Sequence, residues 1–188
     1  MKTKILSSLQ KVITTVKSTK KTGLEVGLVT GGFDVLHMGH LNLFRLAKKH
    51  SDILVVGLDH DKTLRATKGE NRPINNYKRR SQFLSDLSTV DYIFKINKVF
   101  KHGDDKSTAY FESLYKKINP TYVFTHTATD SLSKRRKQLA KQTGITFIPD
   151  RSKTVTHSTT IIKKLELEFW KANLHKHIGT LYNKFQHS

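Results

Sequence analysis

The 188 residues carry 34 Lys and Arg against 15 Asp and Glu, a formal charge of +19, and no cysteine. The missing thiols exclude disulfides, zinc held on thiolates and cysteine nucleophiles, so any chemistry rests on His, Lys, Arg, Asp, Ser and Thr. The positive field selects anionic partners such as nucleotides, phosphorylated metabolites or nucleic acid. No run approaches the roughly 20 apolar residues of a bilayer span, which predicts a soluble, cytoplasmic protein with no membrane partner.

In chain order, residues 3–20 place Ile5, Leu9, Val12, Ile13 and Val16 near one face of a helix. That pattern predicts an N-terminal accessory helix within 1–22 that covers a surface or a partner subunit. After Gly23, strand-length apolar runs alternate with amphipathic segments. "LEVGLVT" (24–30) precedes a helix at 39–50, "ILVVGL" (53–58) one at 76–88 and "DYIFKI" (91–96) one at 107–118. "TYVFTH" (121–126) precedes one at 131–142, and "ITFIP" (145–149) is followed by a final helix at 158–184.

Five such runs separated by helices predict an α/β, Rossmann-like fold over 23–167, a parallel five-stranded sheet with helices on both faces. Ligands of such sheets bind beyond the carboxyl ends of the strands. The longest irregular segment is 59–76, "DHDKTLRATKGENRPINN", expected to be a functional or mobile loop. "SKRRKQLAKQ" (133–142) reads as a solvated basic face. The tail, 168–188, brings Phe169, Trp170, Leu174, Ile178 and Leu181 to near-helical spacing. This second accessory helix is expected to pack on the core or on a second copy, which predicts a homo-oligomer.

The first apolar run ends in "TGGFDVLHMGHLNLFRLAKK", residues 30–49. Gly31 and Gly32 allow a sharp bend and a close approach to phosphate. His37 and His40 are one helical turn apart, so in a helix both imidazoles project from one side of its positive end, where an anion is stabilised. Two alternatives stay open on these residues alone: a metal site sharing Asp34, and a pair of surface histidines capping a helix.

The whole string "GGFDVLHMGH" resembles the signature of the cytidylyltransferase-like, HIGH-type nucleotidyltransferase superfamily. "GLDHDKTLRATKGENRPINNYKRRSQFLSDLSTVDYIF" (57–94) is similar to the Lys-Gly, Arg-Pro-Ile-Asn and later Arg segment of bacterial heptose-1-phosphate adenylyltransferase domains. "STTIIKKL" (158–165) is similar to the closing Ser-Thr-Thr motif, and together the motifs span about 26 to 167. The resemblance implies transfer of a nucleoside monophosphate from ATP or CTP to a phosphorylated small molecule. Pyrophosphate leaves, and Mg²⁺ is carried by the nucleotide.

The resemblance further implies catalytic roles for His37, His40 and Lys68. It places Thr30, Gly31, Gly32, Phe33, Asp34 and Arg80 on the nucleotide, together with Ser158, Thr159, Thr160 and Lys163. Asp61, Arg72 and His126 fall on the acceptor side. Of the adjacent arginines, Arg80 is the one expected to face inward as an anion clamp, with Arg79 in solvent.

One departure limits what carries over. Relatives have a Gly-Asp or Gly-Gly-Asp after the fourth strand, where this chain reads "VFTHTATDSLSKRRKQ" (123–138), with His126 and Asp130 nearby. The acceptor is therefore left open between a sugar 1-phosphate, favoured by the loop motif, and the glycerol phosphate of a related cytidylyltransferase. A nucleic-acid-binding protein on a degenerate nucleotidyltransferase fold is the alternative of another class, not favoured because the histidines, Lys68 and the Ser-Thr-Thr run are all present.

Overall fold

A computed structural model of the chain describes residues 4–101, 106–127, 130, 132–152 and 158–186, with the backbone alone at 172 and 175–186. The chain divides into two compact units, Met1–Lys153 and Thr154–Ser188.

The first unit is an α/β layer structure. Its strands are β1 (Ile5–Leu6), β2 (Val26–Gly31), β3 (Ile53–Asp59), β4 (Tyr92–Ile96), β5 (Tyr122–His126) and β6 (Thr146–Asp150). Between them lie α1 (Leu9–Lys21), α2 (Met38–His50), α3 (Asp61–Lys68), α4 (Tyr77–Ser85), α5 (Lys106–Ile118) and α6 (Ser133–Gln142). All strands pair in parallel, in the order β1-β4-β3-β2-β5-β6.

The chain winds outward from β2 through β3 to β4, then returns to place β5 on the other side of β2. The strand order thus reverses between β2 and β5, where an open parallel sheet leaves a crevice at its carboxyl edge. Strands buried on both faces need apolar residues at odd and even positions alike, which explains the unbroken "ILVVGL". Val26, Leu28 and Val55 turn toward α1, α5 and α6, packing with Val12, Phe111, Leu114 and Leu139. Val29, Leu54, Val56 and Leu58 turn the other way, onto Leu43, Phe44 and Ala47 of α2 and Leu84 of α4.

Three expectations need correction. The sheet has six strands, not five: β1 pairs Ile5 with Ile93 and Leu6 with Phe94, and two residues are too short to display a period. The helix expected over 3–20 starts only at Leu9, because the Ser8 side chain accepts from Lys11 N and caps it there. Segment 59–76 is not irregular throughout, since α3 occupies its first half, capped by the His60 ring accepting from Lys62 N.

Val12 and Val16 of α1 are fully buried in the same core as α5. The second unit is built on α7 (Ser158–Gln186), one continuous helix of 29 residues. Phe169, Trp170 and Leu174 on it are 66%, 70% and 61% exposed. Ile178 and Leu181, expected on the same stripe, have side chains outside the described residues. Among the described residues no helix is long and apolar enough to cross a membrane.

Candidate functional site

The turn after β2 is held by contact between side chains. Neither Gly31 nor Gly32 has a positive φ; the left-handed residue is Phe33, at φ 45°. What the glycines provide instead is clearance. A Cβ on Gly31 would stand 3.2 Å from the Phe33 ring, and one on Gly32 would stand 3.1 Å from Leu64. Phe33, folded back and buried, packs on Phe44 with centroids 5.1 Å apart and meets the edge of His40 at 5.0 Å.

His37 stands in extended conformation at the entry of α2 and makes no side-chain capping bond to it. It stacks on His40 instead, with centroids 3.8 Å apart and planes 28° from parallel. The pair therefore forms a two-ring surface at the positive end of α2, braced from below by Phe33. Of the readings left open by the sequence, a capping pair does not fit this geometry.

Asp34, 1% exposed, is the anchor of the segment beyond α3. Its carboxylate accepts from Arg72 Nε at 2.7 Å, Ile74 N at 3.0 Å and Asn75 N at 2.7 Å, while its backbone carbonyl accepts from Asn75 Nδ2 at 2.8 Å. Arg72 is itself only 6% exposed. Both residues, expected on the nucleotide and acceptor respectively, are thus engaged with each other and fix where Lys68 and Gly69 can go.

Arg80 is completely buried and Arg79 is exposed. The Arg80 guanidinium donates to the Gly32 carbonyl from Nη1, and from Nη2 to the Asp59 carbonyl at 2.7 Å and Asp61 Oδ1 at 2.6 Å. Asp61 also accepts from Tyr77 N at 3.1 Å. Here the expected anion clamp and the expected acceptor aspartate form a brace that ties the glycine turn to the ends of β3 and α4.

Lys68 closes α3. The residue is exposed as a whole, but its ammonium is partly withdrawn from water, and that withdrawal together with the nearby Arg72 charge lowers its pKa, against the opposing pull of Asp59 and Asp34. Asp59, at the carboxyl end of β3, responds in the opposite direction: burial raises its pKa although Arg136, Lys68 and Arg80 all oppose the rise. The carboxyl edge of β2 and β3 is therefore a cluster of alternating charge.

Sequence reasoning missed Asp59 and Arg136. Arg136 extends from α6 to donate to Thr30 Oγ1 at 2.7 Å, pairs through Nε with Asp130 at 2.7 Å and lies 4.6 Å from the Phe111 ring centre. Asp130 also accepts from Thr125 Oγ1, so Thr30 and the end of β5 are linked through one guanidinium. The signal was present: Arg136 precedes the buried Leu139 and Ala140 by three and four residues, the spacing of one helical face. His126 is 7% exposed, with Nε2 3.0 Å from the Ser152 carbonyl. Ser158, Thr159 and Thr160 open α7 in the second unit, with Lys163 one turn later. Among the described residues no group of three or more His, Asp or Glu is placed to hold a metal.

A profile of the cytidylyltransferase-like family matches residues 28–165, from β2 into α7. The chain belongs to that family. It is 42% identical over 86 residues to the bifunctional protein HldE of Hyphomonas neptunium, covering 46% of this chain and 18% of that protein. It is 30% identical over 165 residues to the protein of the same name from Desulfatibacillum aliphaticivorans, covering 85% of this chain and 31% of that one. The matches thus span less than a third of these relatives' length.

Among solved structures, the lipopolysaccharide core biosynthesis protein of Thermoplasma volcanium superposes with a TM-score of 0.51 at 24% identity, over 70% of this chain and all of that one. Pantoate-beta-alanine ligase of Francisella tularensis gives 0.58 at 18% identity, over 79% and 68%. At these identities the likeness is one of fold.

The Asp34 anchor makes a quantitative prediction. Asp34→Ala strands Arg72 as a buried, uncompensated cation and should cost about 3–5 kcal/mol of stability in urea unfolding. Residues 69–76 should also become accessible to protease. A loss below about 1 kcal/mol, the usual value of an exposed pair, would show that the anchor is dispensable.

Proposed function

We propose that the chain transfers a nucleoside monophosphate from ATP or CTP to a phosphorylated small molecule, with a sugar 1-phosphate the favoured acceptor. The observation that carries this reading is the stacked His37–His40 pair at the positive end of α2, beside the strand-order reversal. Family membership supports the same reaction class. The sugar preference rests on the likeness of "ATKGENRPIN", residues 66–75.

In the proposed reaction an acceptor phosphate oxygen attacks the α-phosphorus in line. The bond from that phosphorus to the bridging oxygen breaks, and pyrophosphate leaves with the electron pair. Charge grows on phosphoryl oxygens, so catalysis is mainly positioning and electrostatic stabilisation. His37 and His40 donate to triphosphate oxygens, and the Lys68 ammonium meets the charge developing toward the leaving group. Gly31, Gly32 and Phe33 shape the floor, with Thr30 held by Arg136 at its edge. Arg80, Asp34 and Asp61 act through the turn and loop that they brace.

The likeness of "STTIIKKL" to the closing motif supports a phosphate-binding role for Ser158, Thr159, Thr160 and Lys163. Arg72 and His126 would bound the acceptor side. Mg²⁺, entering on the triphosphate, would neutralise its oxygens. Incubating the protein with each triphosphate and a panel of phosphorylated sugars and alcohols, while following pyrophosphate, separates the sugar reading from the glycerol-phosphate one. Binding of RNA without any triphosphate would favour the nucleic-acid alternative.

Self-association is a further proposal, supported by the exposed Phe169, Trp170 and Leu174. Light scattering should give at least a dimer whose association strengthens with salt, as charge repulsion between +19 chains is screened. A monomer at low and high salt alike would refute it.

Replacing His37 or His40 with Ala should lower kcat by roughly a hundredfold or more, the usual cost of one oxyanion donor. Near-normal turnover in both variants would remove the pair from the chemistry. Lys68 predicts a pH effect with a defined sign. Its lowered pKa means that it sheds its proton, and its catalytic charge, at a pH below the ordinary lysine value of 10.5, so kcat should fall along an alkaline limb beginning under that value. Lys68→Arg stays protonated and should flatten the limb. An unchanged limb in that variant would assign the titration elsewhere.

A further inference from the structure

A concavity of about 540 Å³ lies between the last turns of α1 and α5. Both helices end beside the amino ends of strands: α1 leads into β2, α5 leads into β5, and Thr121 N donates to the Val26 carbonyl between them. The concavity is therefore at the opposite end of the sheet from the histidine turn. Lys17, Lys20, Lys21, Lys116 and Lys117 line it, and among the described residues no carboxylate does. Its floor is apolar, formed with Ile13, Val16 and Ile118.

The lysines are more numerous than the fold requires. Cations near helix C-termini offset the helix dipoles, but two helix ends are equivalent to only about one negative charge together. Lys116 pairs with Glu112 at 2.7 Å, and Lys20 donates to the Asn119 carbonyl at 3.0 Å. The side chains of Lys17, Lys21 and Lys117 make no hydrogen bond or ion pair with any described residue. Roughly three positive charges thus remain uncompensated around one apolar floor, a self-repelling arrangement that an anion would relieve.

We propose that this concavity is a second anion site, which takes a small polyphosphate ligand of the nucleoside di- or triphosphate class. Its volume falls in the range of small-molecule sites, not of a flat surface for a duplex. Ammoniums on flexible stems act as point charges that can gather around a chain of phosphates without a fixed fork. Val16 and Ile118, 1% and 2% exposed, close the base of the concavity, and the partly exposed Ile13 is the apolar surface left for a base or ribose. The site is independent of the histidine turn and makes the protein responsive to a nucleotide that it does not consume there.

Calorimetric titration of the 188-residue chain with ATP, and separately with inorganic tripolyphosphate, tests this. The variant Lys17→Ala/Lys21→Ala/Lys117→Ala should lose one equivalent of ATP relative to the native chain, with binding there weakened on the order of a hundredfold, since charge-assisted contacts are lost. A control with the same charge removed from α6, Lys134→Ala/Lys137→Ala/Lys141→Ala, should keep that equivalent. His37→Ala/His40→Ala should also keep it, so failure of the transferase reading would leave this result intact. Identical titrations for the native chain and the pocket variant would overturn the proposal, as would an equal loss in the α6 control, which would assign binding to net charge. Since all the substituted lysines are exposed, unchanged melting should accompany either outcome.

Discussion

A single buried carboxylate sets the geometry on which the candidate site depends. Asp34 lies two residues beyond the glycine pair and three before His37, yet its partners come from 72–75, about forty residues later in the chain. Withdrawing a carboxylate from water is costly unless its oxygens are satisfied, and here a guanidinium and two backbone N–H groups satisfy them. The return is positional: the turn that carries the histidines and the segment that follows Lys68 become one object. Neither would hold its place as an isolated loop.

Arg80 does the equivalent work one layer deeper. Its guanidinium joins a carbonyl of the glycine turn, a carbonyl at the end of β3 and the Asp61 carboxylate at the start of α3. Arg136 does it on the far side, joining Thr30 to Asp130 and so β2 to the segment after β5. Three inward-turned arginines, each paired with an aspartate, thus frame the carboxyl edge of the sheet. In a chain so rich in cations, the side chains of these three are largely withdrawn from solvent, and their planar forks suit contacts with several acceptors at once.

The parallel sheet was legible in the sequence because strands buried on both faces leave unbroken runs such as "ILVVGL", while their helices leave apolar residues three and four apart. The histidine turn was legible from its residue types and spacing. β1 was not, since two residues carry no period, and α3 was hidden because its eight residues are mostly polar and bury only Thr63 and Leu64. The braces were hidden for another reason. A residue such as Arg72 or Arg80 reads as a phosphate ligand from its chemistry, and only the fold reveals a carboxylate or carbonyl already within reach. Arg136 was overlooked in a run of basic residues although its spacing from Leu139 marked it as inward-facing.

The proposed role of the turn framed by these arginines is to direct attack on the α-phosphorus of a nucleoside triphosphate. The most direct measurement follows separately labelled phosphates. With ATP or CTP labelled at the α-phosphate and a phosphorylated sugar or alcohol as acceptor, the label should appear in the acceptor, while a γ-label should leave in pyrophosphate. Transfer of the γ-label to an acceptor, or its release as inorganic phosphate with the α-label retained in a nucleoside diphosphate, would place the attack at the wrong phosphorus and contradict the account.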